Sequence, residues 1–210
     1  MRIALVASVG MMIVYAVVAA RQGRPGRAAQ FTILAAGLVI GAFMLALTLG
    51  GKSVMERFMT LFAADPLSVY QGARGTQLNI TFGDLFVNHP LGSGLGRWGM
   101  VANYFGSFRP DADAIWAEIQ LTGWMIDGGI LMVALYAGAL VVTALTEYRV
   151  AIMTRYARLA QCGAVVLAAN LGTAALIFSF TPFVTQVGIQ YWFLAGALHG
   201  IAQRYGTDGA

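Results

Sequence analysis

The apolar positions of this chain gather into five runs, at about 3–20, 31–50, 129–146, 159–180 and 184–202, and none contains Asp, Glu, Lys or Arg. A helix needs about 20 apolar residues to cross the hydrocarbon core of a bilayer. Four runs approach or reach that length and the fifth is somewhat more polar. The pattern therefore predicts an all-α polytopic membrane helix bundle of about five spans, with the lipid bilayer as its first partner. Arg21, Arg24 and Arg27 follow the first run, and Arg149, Arg155 and Arg158 follow the third with only Glu147 against them. Basic loops stay in the cytoplasm. Both loops give one topology, with the N-terminus, residues 51–128 and the turn at 181–186 outside. The division is two helices in 1–50, an extracytoplasmic loop in 51–128, and three helices in 129–210.

Within 51–128 the periodicity changes to short amphipathic segments. Residues 53–64 put Val54, Phe58, Leu61 and Phe62 on one helical face, ended by Asp65-Pro66. A second helix, about 76–87, carries Leu78, Phe82, Leu85 and Phe86 before Asn88-His89-Pro90. Gly92, Gly94 and Gly96 then permit turns closed to other residues, so 88–96 reads as a tight loop that can approach a ligand. A third helix starts at Asp113 as its N-cap and runs through Ile115, Trp116, Ile119 and Thr122.

Composition sharpens the membrane reading. Only 10% of residues are charged and 59% are hydrophobic, with a mean hydropathy of +0.72, whereas soluble domains carry about 25% charge. The net charge of +4 is scattered rather than striped, which excludes nucleic acid as a partner. Cys162 is alone, His89 and His199 are far apart, and no zinc spacing exists, so neither a protein-ligated metal nor a cofactor is expected. Charge-free spans also leave a proton-coupled pump without its usual groups. Asn170, near mid-membrane, is expected to bond across helices, and His199 to lie near an interface.

The first run carries two readings. Arg2, an apolar core and Val18-Ala19-Ala20 match a secretory signal peptide, while the length of that core favours a retained span. The glycines of GSGLG follow no strand and lack a Lys-Ser/Thr, which argues against a nucleotide loop.

Three features stand in a fixed order: Arg74 with the short helix GTQLNITFGDLF, the loop PLGSGLGRWG at 90–99, and AEIQLTGWMIDGGILMV at 117–133. This order resembles the C-terminal half of the O-antigen ligase and polymerase superfamily of bacterial envelope glycan enzymes, over roughly residues 70–150. The resemblance implies transfer or polymerisation of glycan carried on undecaprenyl pyrophosphate at the outer face of the inner membrane. It further implies that Arg74 helps bind the lipid pyrophosphate, and that other polysaccharide-assembly proteins are partners. Relatives have ten or more spans, so the chain is expected to be a fragment or a shortened member. Ligases carry histidine where this sequence has Glu118, which favours a polymerase.

The residue types support such chemistry on their own terms. A guanidinium pairs bidentately with phosphate oxygens, so Arg74, Arg97 and Arg109 are candidate clamps, with Gly94 and Gly96 approaching the ligand. Glu118 is the candidate catalytic base for the attacking hydroxyl, or else an ion-pair partner of one of these arginines. Trp98, Tyr104, Trp116 and Trp124 are either sugar platforms or interfacial anchors. A glycosidase needs paired carboxylates, but neither Asp113 with Glu118 nor Glu118 with Asp127 shares a face of one helix. A non-catalytic membrane subunit or glycan-binding partner in polysaccharide assembly or export remains the alternative.

Overall fold

The computed structural model describes residues 2–63, 65–96, 98, 117–153 and 155–207, and among these there are helices and turns but no strand. Helix α1 (Arg2–Arg21) ends where Gly23 enters the left-handed region at φ 72°, a conformation open to glycine at no steric cost. There the amide of Gly23 donates to the Ala20 carbonyl and that of Arg24 to the Ala19 carbonyl, satisfying the helix end. Helix α2 (Pro25–Ala63) begins on proline, whose missing N–H costs nothing at a first helical position. A segmented rod, which we call α3, follows as Pro66–Tyr70, the π-helical turn Gln71–Gly75, Thr76–Asn79, a second π turn Ile80–Leu85, and Phe86–Asn88. The remaining helices are α4 (Gln120–Ala151), α5 (Ala157–Ala175) and α6 (Gln186–Thr207), with short 3₁₀ turns between the last two.

Helix α5 is the hub, packing against α1, α4 and α6. Tyr15, Val18, Ala19, Ala151, Ala164, Leu167 and Ala168 form one core between α1, α4 and α5. Gly163 lets α5 approach the end of α4 so closely that a Cβ there would lie 2.8 Å from the Ala151 nitrogen. Helix α2 is the outlier. It touches α1, and no residue of 29–56 is buried.

Three helices, Ala29–Glu56, Gln120–Ala151 and Ala157–Phe178, are long and apolar enough to cross a membrane, and Val6–Arg21 is a shorter apolar helix. Helix α6 lies over the fifth apolar run. The first two arginine-bearing loops meet at one end of the bundle. Arg21 hydrogen-bonds the Tyr148 hydroxyl, Gln22 donates to the carbonyls of Ala151 (2.7 Å) and Ala160 (3.0 Å), and Arg24 donates to Ala157 (3.1 Å).

Two expectations are corrected. The third helix does not include Ile119, which is extended at φ −116° and ψ 141°, so α4 starts at Gln120 and Glu118 lies outside it. Asp113 itself lies outside the described residues. The bundle also does contain an acid. Helix α4 continues past residue 146 to Ala151, carrying Glu147 fully buried inside the protein.

Candidate functional site

Opposite the arginine-rich end, α3 lies across the start of α4. Its inward stripe is polar: Tyr70, Arg74, Gln77 and Thr81 recur every three or four residues, which puts them on one side of a helix. Each finds a partner. The Tyr70 hydroxyl donates to the Phe178 carbonyl (2.7 Å), Arg74 forms an ion pair with Glu118, and the Glu118 amide donates to Gln77 Oε1 (2.8 Å). Thr81 and Thr122 share a hydrogen bond of 2.6 Å in a fully buried position. Gln120 closes the assembly: its amide donates to Phe180 O (2.9 Å), and its Oε1 accepts from the Phe183 amide (3.1 Å). The apolar residues Phe82, Phe86 and Val87 face outward, while Leu85 is wholly enclosed.

The glycine loop is docked into a break in α4. At Gly129 the backbone leaves the helix, with φ 61° and ψ −153°, a region essentially reserved for glycine. A continuous helix would bond the Ile130 amide to the Ile126 carbonyl. Here the loop takes both groups: Ile130 donates to the Pro90 carbonyl (2.8 Å) and Ser93 donates to the Ile126 carbonyl (2.6 Å). The backbones are so close that a Cβ on Gly92 would sit 2.7 Å from the nitrogens of Gly128 and Gly129. One on Gly129 would strike the Pro90 carbonyl oxygen. Asp127 completes the joint, accepting from the Gly96 amide (3.0 Å) and the Trp98 indole (2.8 Å). Trp98 lies against Gly123, where a side chain would overlap its ring.

The candidates from the sequence divide accordingly. Arg74 and Glu118 come together as an ion pair with side chains 28% and 39% exposed, within reach of an incoming solute. Gly94 and Gly96 hold positive φ (99° and 74°), but Gly96 serves the joint with Asp127. Arg97, Arg109, Trp116 and Tyr104 lie outside the described residues. Trp98 and Trp124 are not surface platforms: both are buried, and Trp124 stacks on Tyr136 with centroids 4.4 Å apart. Asn170 bonds across helices as expected, to Glu147 and, at 3.5 Å, to the Tyr191 carbonyl. The sequence reading missed Tyr70, Gln77, Thr81 and Gln120, although the spacing of the first three around Arg74 was a usable signal.

Two hollows meet at Tyr70. An apolar groove of about 480 Å³ runs between α1 and α5, lined by Val6, Gly10, Val14, Leu171 and Ala175 among others. A second hollow of about 400 Å³, beside Gln71, Gly75 and Asn79, is more polar. Burial raises the Tyr70 phenol above its usual pKa while the Arg74 guanidinium pulls it the other way. The hydroxyl is therefore neutral near pH 7 and keeps its donor role. Among the described residues no three His, Cys, Asp or Glu side chains converge as a metal site would require.

Comparison of the chain with protein-family models, curated proteins and solved structures yields no match. The fold itself defines the class: an all-helical protein with three helices of membrane-crossing length and apolarity, carrying a polar, ion-paired platform at one end of its bundle.

Proposed function

We propose that the chain is a membrane glycosyltransferase of the O-antigen polymerase or ligase type. It transfers or polymerises glycan from an undecaprenyl-pyrophosphate-linked donor at the outer face of the bacterial inner membrane. The reading includes five spans, with the arginine-rich end in the cytoplasm and 51–128 in the periplasm. The observation that carries it is the partly exposed Arg74–Glu118 pair, one helical turn from Tyr70, a residue that lines both an apolar groove and a more polar hollow. A lipid diphosphate has the matching two-part character: a chain for the groove and an anion that competes with Glu118 for Arg74. Once Arg74 turns to the diphosphate, the Glu118 carboxylate is able to accept a proton from an acceptor hydroxyl. The diphosphate then leaves against Arg74 as the new glycosidic bond forms.

The same ion pair supports the second reading, a non-catalytic subunit that binds glycan or its carrier, because a carboxylate already neutralised by arginine is a structural element as it stands. The test is polymer length and accumulation of lipid-linked oligosaccharide in cells carrying Arg74→Ala or Glu118→Gln. Loss of polymer with Arg74→Ala at unchanged protein level is the expected outcome, and normal polymer sinks the clamp. Undiminished turnover in Glu118→Gln removes the base. Reconstitution with donor and acceptor separates the two readings, since saturable binding without turnover identifies the subunit.

A further inference from the structure

The interior of the bundle holds a carboxyl that the donor chemistry does not use. Glu147 on α4 is 0% exposed. Its Oε1 accepts a 2.5 Å hydrogen bond from the Asn170 amide of α5, while its Oε2 has no partner among the described residues. No guanidinium or ammonium among those residues pairs with it. The groups that face it are few. From α6 come Tyr191, whose hydroxyl bonds Thr143 of α4, and His199; both are close enough to interact with it electrostatically. From α1, Arg21 reaches the adjacent Tyr148 hydroxyl rather than the carboxyl.

An ionised carboxylate removed from water needs a cation or several donors to offset its lost hydration. One neutral amide on one oxygen does not supply that. An ionisable residue inside a helix bundle of this kind is a functional candidate in its own right.

We propose that Glu147 is a proton-binding site inside the helix bundle, held as the neutral acid with its proton on Oε2 and positioned by Asn170 on Oε1. This site stands apart from the Arg74 platform and does not depend on the donor chemistry proposed above.

Infrared spectroscopy of the full chain in lipid nanodiscs tests the site. At neutral pH, where exposed carboxyls are ionised, the wild-type protein is expected to show the carbonyl stretch of a protonated carboxylic acid, and Glu147→Gln to lose it. Asn170→Leu is expected to keep the band but shift it, because Oε1 loses its donor. A folded wild-type protein without the band overturns the proton site. A band unmoved in Asn170→Leu overturns the positioning role. Should Glu147→Gln fail to fold, the Asn170→Leu shift identifies the band.

Discussion

Two long helices of this protein break at a glycine, in nearly the same backbone conformation. Gly51 in α2 has φ 55° and ψ −139°, and Gly129 in α4 has φ 61° and ψ −153°. Their surroundings differ completely. Nothing among the described residues comes within 4 Å of a Cβ placed on Gly51, and the nearby Gly50 carbonyl is met by the Ser53 hydroxyl of the same helix at 2.9 Å. Around Gly129 the glycine loop fills the gap, accepting one freed backbone group and donating to the other. A broken helix exposes polar backbone that something must satisfy. In α4 a distant segment is recruited to satisfy it, and the break becomes a joint.

Gly129→Ala is the strongest way to test that difference. The new methyl meets the Pro90 oxygen and the backbone is forced from a glycine-only region, so a loss of about 3 kcal/mol or more is expected. Denaturant titration in detergent measures it, and limited proteolysis at 90–96 should show the loop released. Asp127→Ala comes next. It leaves the Trp98 indole and Gly96 amide without their charged acceptor, at a cost of about 2 kcal/mol, read together with a red-shifted tryptophan emission. Gly51→Ala should do least. With nothing packed into its break, α2 can straighten, and the better helix propensity of alanine offsets the change to within about 1 kcal/mol. If Gly51→Ala costs as much as Gly129→Ala, the breaks are equivalent and the loop is not what distinguishes them.

The glycine loop and the Asp127-Gly128-Gly129 segment are two halves of a single contact. The glycines at 92, 94 and 96 read correctly as a tight loop, because alternating glycines after Asn88-His89-Pro90 permit the positive φ that all three adopt. What they are pinned to was not legible, since Ser93 and Ile126 meet through backbone atoms that carry no sequence signature. Arg74 and Glu118 stood out individually, and an ion pair with an arginine was one of the readings of Glu118. The partner was decided by α3 crossing the start of α4, 44 positions away in sequence. Trp98 and Trp124 misled for a related reason. An aromatic residue near the end of an apolar run suits an interface equally well, and only packing against Gly123 and Tyr136 put these two inside.

The break at Gly129 thus divides what the sequence determined from what it did not. The runs of apolar residues and the placing of glycine, proline and arginine determined the helices and the two arginine-bearing loops, because hydrophobic length and backbone freedom are properties of the local chain. Tertiary structure decided which break is filled, which charges pair, and that Glu147, one residue past an apolar run, lies in the interior. Those outcomes depend on which helices touch: α5 packs against α1, α4 and α6, whereas α2 leans on α1 with no residue of 29–56 buried, although both are apolar enough to cross a membrane. Hydropathy measures the affinity of a helix for an apolar surrounding without specifying whether protein or lipid provides it.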